Sequence, residues 1–332
     1  MAFVRYILSF CVLIAHTATL ASVDLPLKSY SFVAVGGFFA LSGFLLFGSF
    51  QRRPSIKYYF NKRARRILPP YFLVVIACAI LMVMVSSLSV KEYYTSIGFW
   101  EYLGANLSFL NFLHPSLPGV FEGSEFYQPA VNGSLWTMKG EWICYISVPL
   151  LFFLIKREKR PKLIITSVII ICLILKLSFI FLGDLTDKQI FYTLEKQFSS
   201  IFIFFFTGAF INLVYDEFLK YKWYILVVAI IIIAFNGYYE SFYYLFLRPF
   251  VLASLVIWFS QVGRWGYFMK NHEDLSYDIY LFHFPVIQLA VLWGLPDKMS
   301  PFLLLLTVAF TTTVLSCISW YLVGKRFMLK NK

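Results

Sequence analysis

The chain has 332 residues, of which 60% are hydrophobic and only 14% charged, with a formal net charge of +12. A soluble globular domain is nearer half apolar and a quarter charged, so that class is excluded. The positive balance needs no nucleic-acid partner, because a Lys/Arg excess in a membrane protein reports topology.

Apolar runs between polar punctuation predict an all-α, polytopic membrane protein. Ten helices are expected, over 4–22, 31–50, 68–89, 136–155, 163–182, 197–215, 223–238, 243–262, 275–294 and 301–323. The first begins RYILSFCVLIAH. Arg5 and His16 are eleven residues apart, about 1100° of helix rotation and about 16 Å of rise, so they share a face. The helix ends near TLAS, which imitates a signal-peptide cleavage site. His16 inside the apolar run and the many spans that follow predict a retained helix instead. An ionisable residue at membrane depth is a functional candidate by default. His16 fits a general base that takes a hydroxyl proton, or a packing histidine bonded to a neighbour.

The second helix, VAVGGFFALSGFLLFGSF, is rich in small residues, including Ser42 and Gly43. That composition predicts close helix packing, with a slot for a narrow substrate chain as the lesser reading. A basic loop over 52–66 follows, and Pro69 and Pro70 mark the start of the third helix. Lys62, Arg63, Arg65 and Arg66 cluster there, and Arg63 and Arg66 share a face if the segment is helical. Guanidinium forks facing one way grip phosphate oxygens in pairs; topology alone needs only the charge.

The interruption over 90–135 is aromatic and contains Pro and Gly, which predicts a loop packed onto the membrane domain, not a linker. Trp136 and Glu141 open the fourth helix. Glu141 fits an interfacial carboxylate near a helix N-terminus, or a group that orients a histidine or a hydroxyl. Arg248, beside Pro249, is a buried-cation candidate in the eighth helix. The ninth opens EDLSYDIYLFHFPV, with Asp274 and Ser276 as caps, Asp278 and His283 in the span, and Tyr277, Asp278 and Tyr280 near its cytoplasmic end. A second intramembrane histidine strengthens the case for a polar cavity. The five cysteines all lie in apolar runs with no metal-ligand spacing, and no metal is expected.

Lys and Arg concentrate in QRRPSIKYYFNKRARR, KREKRPK, DEFLKYK, GRWGYFMKNHED and the tail GKRFMLKNK. The positive-inside rule puts these loops and both termini in the cytoplasm, in agreement with an even number of spans. Arg5 then lies at the cytoplasmic mouth of the first helix and His16 near mid-bilayer.

Taken in order, these segments resemble the membrane acyltransferase family 3, whose members O-acylate bacterial surface glycans. The likeness covers nearly the whole chain. It includes the Arg-x10-His spacing of Arg5 and His16 and the stretch FFALSGFL at 38–45. A basic RRxxR-type motif appears as Lys62-Arg63-Ala64-Arg65-Arg66 before ILPPY, with Lys62 in place of the first arginine. A Trp136-to-Glu141 motif carries Met138 in place of leucine, and SYDIYLFH stands at 276–283. The resemblance implies a ten-helix core, an acyl-CoA donor (usually acetyl-CoA) in the cytoplasm, and an acceptor on the outer side.

On that basis the whole of 1–332 is expected to be one transmembrane acyltransferase domain with no separate soluble domain, in the inner (cytoplasmic) membrane. Its expected acceptor is a hydroxyl of a surface polysaccharide or lipid-linked glycan. Arg5, Lys62, Arg63, Arg65 and Arg66 are the candidates for holding the donor's phosphates. His16 is the candidate base or acyl carrier, with Glu141 beside the reaction. Ser42, Trp136, Tyr280, His283 and Arg248 are candidates for the cavity lining. The rival reading is a transporter or flippase that moves a glycan or lipid through the same polar channel.

Overall fold

The computed structural model describes residues 2–28, 30–123, 129–238, 240–262 and 274–329. Most of the basic loop GRWGYFMKNHED, residues 124–128 of the long interruption and the end of the tail lie outside those residues. No strand occurs among the described residues.

Among the described residues, eight helices are long and apolar enough to cross a membrane. They are α1 (Ala2–Leu20), α2 (Ser31–Arg52), α3 (Ile56–Val85, its last turn 3-10), then α6 (Gly133–Lys156), α7 (Pro161–Thr186), α8 (Gln189–Leu213), α10 (Glu240–Gln261) and α12 (Pro301–Phe327). Two shorter apolar helices, α9 (Lys222–Ala234) and α11 (Ser276–Leu292), have 13 and 17 residues. Two small helices, α4 (Val90–Thr95) and α5 (Ile97–Leu107), lie inside the long interruption.

The largest departure from the sequence reading is α3. The stretch 52–66, expected as a loop, is helical from Ile56 onward, and Pro69 and Pro70 lie inside the helix instead of starting it. Each proline removes one main-chain donor, so the carbonyls four residues back, at Arg65 and Arg66, lose their usual helical partner. Membrane helices tolerate this where side chains or water re-satisfy the freed groups.

The described chain forms two compact units, each made of three segments. The first comprises Met1–Val4, Val35–Tyr59 and Gly140–Asn271. Its core is aromatic: Phe47, Phe50, Phe204 and Phe205 are fully buried. Two glycines make the α2–α8 crossing possible. A Cβ on Gly43 would fall 1.9 Å from the Phe205 carbonyl oxygen, and one on Gly208 1.9 Å from that of Ala40. The small-residue row is therefore a helix-packing seam, with the Phe204 ring over Gly36 and the Asn212 amide over Gly48. The lesser reading of that row, a slot for a substrate chain, finds its space taken by α8.

The second unit comprises Arg5–Ala34, Phe60–Lys139 and His272–Lys332. Helix α11 runs through its interior, and buried residues occupy it almost from end to end. Leu13 and Leu20 of α1, Ile279, Phe284 and Ile287 of α11, and Leu304 and Val308 of α12 form one apolar cluster. The 90–135 segment is stitched into this unit, as expected of a packed loop. The Asn132 amide donates to the Leu281 carbonyl at 2.8 Å, the Gln288 amide to that of Ala130 at 2.9 Å, and the Tyr71 hydroxyl to that of Asn106 at 2.6 Å. All five cysteines are free thiols.

Candidate active site

In the second unit, α1 and the start of α11 lie side by side and run in the same direction, as three contacts show. Arg5 Nη1 lies 3.0 Å from Asp274 Oδ2. The Tyr6 hydroxyl accepts from the Leu275 amide at 2.8 Å. Further along both segments, His16 Nδ1 lies 2.8 Å from His283 Nε2. The partners of Arg5 and His16 thus belong to one neighbouring segment, which is what a shared helix face requires.

At the first end of this column, Asp274 joins two cations. Arg66 also donates to its Oδ2, while the Ser276 hydroxyl and amide donate to Oδ1 at 2.5 and 3.2 Å. Burial alone pushes the Asp274 carboxyl up; Arg5 and Arg66 outweigh it and hold the group well below the usual carboxylate range. Two guanidiniums and one carboxylate leave the trio one positive charge in excess, and each guanidinium fork has more donors than one carboxylate uses.

Of the remaining basic candidates, Lys62 is exposed, and Arg65 turns its Nε to Asn61 Oδ1 at 3.1 Å. Arg63 is half-buried and sits three residues before Arg66 on α3. Helicity through 56–66 therefore separates the cluster by face: it carries Arg66 to Asp274 and turns Arg65 about 100° away from it.

Deeper in, His283 is fully buried and His16 partly so. Their rings stack with centroids 5.0 Å apart and 15° between planes. The Phe284 ring meets His16 edge-on at 5.8 Å, and the Tyr280 ring lies 5.7 Å from His283. Tyr280 is anchored in turn: its hydroxyl donates to the Ser134 carbonyl at 3.0 Å and lies 3.0 Å from the Thr137 hydroxyl. Trp136, in the 3-10 turn Gly133–Trp136, is half-buried.

Glu141, Ser42 and Arg248 belong to the first unit. Glu141 accepts from the Tyr145 hydroxyl at 2.6 Å, one helical turn away. Arg248 lies over the Tyr244 ring, 4.5 Å from its centroid, and Ser42 is half-buried on α2.

Two carboxylates escaped the sequence reading as site residues. Asp274 was expected only as a helix cap; its place as the common partner of Arg5 and Arg66 depends on residues far away in the sequence. Asp278, fully buried, accepts from the Ser319 hydroxyl at 2.6 Å. A carboxylate inside an apolar run was the available signal for it.

An imidazole pair in an apolar interior thus lies on the same two segments as Arg5 and Asp274, which Arg66 joins from α3. Residues 1–321 match the family described as an acyltransferase domain. The chain belongs to the membrane acyltransferase family 3. The match extends through α1, which carries Arg5 and His16, and through α11, which carries His283. The chain is 25% identical over 342 aligned residues to the O-acetyl transferase of Shigella phage Sf6, an alignment spanning 98% of this chain and 95% of that one. It is 26% identical over 144 residues to Nodulation protein 10 of Rhizobium leguminosarum bv. viciae, covering 42% of this chain and 38% of that protein. No solved structure matches. As a family member this chain is a multi-pass membrane acyltransferase.

Proposed function

We propose that this acyltransferase moves an acetyl group from cytoplasmic acetyl-CoA (or another acyl-CoA) to a hydroxyl of a surface polysaccharide or lipid-linked glycan on the outer side of the inner membrane. In this reading the two shorter apolar helices complete ten spans, with both termini in the cytoplasm. The observation that carries it is the 2.8 Å contact of His16 with a fully buried histidine, on a face shared with Arg5. The O-acetyl transferase named above, aligned over nearly its full length, supports the acetyl group and the oxygen acceptor.

The steps balance as follows. Phosphates of the donor meet Arg66 and Arg5, with Arg63, Arg65 and Lys62 adding positive field along α3. The acceptor hydroxyl loses its proton to His16 as its oxygen bonds to the thioester carbonyl carbon. The C–S bond then breaks, and the imidazolium returns the proton to the departing sulfur, which leaves as free coenzyme A. A route in which His16 first carries the acetyl group uses the same atoms in two steps. Tyr280 packs against His283 and helps to hold that ring in place.

The test is transfer of label from radiolabelled acetyl-CoA into alkali-labile esters of envelope glycan, in membranes holding intact protein or His16→Ala. Incorporation that depends on His16 is expected. Equal incorporation by the variant overturns the base assignment. Glycan translocation with no ester formed favours the transporter.

A further inference from the structure

We infer that His283 is a positioning residue: it holds the His16 proton on Nδ1 and so leaves the lone pair of His16 on Nε2. Its use in catalysis rests on the reading of His16 as the base; the tautomer itself does not.

The inference comes from following donors along a short chain of atoms. His283 Nδ1 faces the Ile279 carbonyl oxygen at 3.3 Å. A carbonyl oxygen only accepts, so the proton of a neutral His283 sits on Nδ1. Its Nε2 is then an acceptor, and it meets His16 Nδ1 at 2.8 Å. Two facing lone pairs repel, so His16 must carry its proton on Nδ1, and Nε2 is the basic nitrogen. The alternative in which His283 is an imidazolium requires a charge on a fully buried ring beside Phe284, which an apolar interior disfavours.

The support for His283 is fixed in the same way. Ile279 lies one helical turn earlier on α11, so the accepting carbonyl belongs to the same rigid helix as the ring. The Tyr280 ring packs on His283 and is pinned by its own bond to Ser134. When His16 takes a proton, His283 is placed to accept from the imidazolium without moving. It thereby stabilises the charge that forms. This is the orienting work a third group does for a base in other acyl-transfer sites, performed here by a neutral ring.

The chain has four histidines, which makes the tautomer directly readable. Full-length protein in detergent, labelled with nitrogen-15 histidine, is compared with His283→Leu, His283→Phe and His283→Gln, with His16 assigned by the signal lost in His16→Ala. In intact protein His16 is expected to show protonated Nδ1 and a pyridine-like Nε2. The preference is expected to disappear in the Leu and Phe variants and to persist in His283→Gln, whose side-chain oxygen accepts in place of Nε2. Acetyl transfer should follow the same order: kcat falls about 10–100-fold in the Leu and Phe variants, the worth of one hydrogen bond to a group that becomes charged, with the acetyl-CoA KM little changed and most of the rate recovered in Gln. Protonated Nε2 on His16 in the intact protein, or an Nδ1 proton that survives His283→Leu and His283→Phe, overturns the inference. So does a Gln variant no faster than Leu. If His16→Ala stays active while the tautomer pattern holds, the base assignment falls and the positioning of His16 by His283 stands.

Discussion

In the first unit a buried lysine meets a carboxylate and main-chain oxygens; in the second a buried imidazole meets another imidazole. Lys176 of α7 is 4% exposed; its ammonium lies 3.1 Å from the Tyr244 carbonyl and 3.8 Å from Glu195 Oε1, which also accepts from the Ser200 hydroxyl at 2.5 Å. Both partners sit in π-helical turns, Glu195–Ser200 in α8 and Tyr243–Leu247 in α10. Such turns take main-chain carbonyls out of the α pattern, and the lysine supplies donors there. This cluster fastens three helices by charge. The histidine pair in the second unit joins two ring nitrogens at 2.8 Å, groups that can each hold a proton or a lone pair.

The contrast can be broken or sharpened by substitution. The largest effect on turnover is expected for His16→Ala, a loss of about 10²–10⁴-fold in acetyl transfer with normal protein levels in the membrane, read by label incorporation and immunoblot. Arg66→Ala should act on donor binding: the acetyl-CoA KM is expected to rise about 10–100-fold with kcat nearly unchanged, the signature of a phosphate contact made equally before and during reaction. Both changes fall in the second unit.

In the first unit, Lys176→Met should cost stability instead, about 1–3 kcal/mol, because Glu195 and the π-turn carbonyls lose a donor. Adding Glu195→Gln should recover part of that loss, while the acetyl-CoA KM of the folded fraction stays at the intact value. Thermal unfolding in detergent and steady-state assays separate these outcomes. Gly43→Ala should likewise lower the unfolding midpoint, since its Cβ can fit only if α2 and α8 move apart.

The smallest expected effect concerns pH. Asp274 has a folded-state pKa below its unfolded value of about 3.9, so its stabilisation is complete above that pH and is lost only as pH falls through the folded value. The shift in unfolding midpoint caused by Asp274→Asn should therefore be the same at about pH 7 and about pH 5. A shift that shrinks over that interval would mean that the Arg5–Asp274–Arg66 trio is not closed in solution.

Some of the geometry was legible in the sequence. The spacing of Arg5 and His16 placed them on one face because helix rotation per residue is nearly constant. His283 announced itself as a second ionisable group inside an apolar run. The glycines of α2 predicted a tight crossing, and α8 fills it. Less legible was α3: fifteen residues with two prolines and many cations look like a loop to any local rule, yet they continue as helix. Asp274 looked like an ordinary cap because its two guanidinium partners arrive from residues 5 and 66.

Composition, apolar run lengths and motif order were enough to determine a helical membrane acyltransferase and to single out His16, because the bilayer penalises each polar side chain wherever the chain places it. Only the tertiary structure decided which polar groups meet: His16 with His283, Arg5 and Arg66 with Asp274, Lys176 with Glu195. The reason is range. Burial cost is a property of one residue in its own segment, whereas a hydrogen bond needs two groups within about 3 Å, and helix packing alone brings segments hundreds of residues apart to that distance.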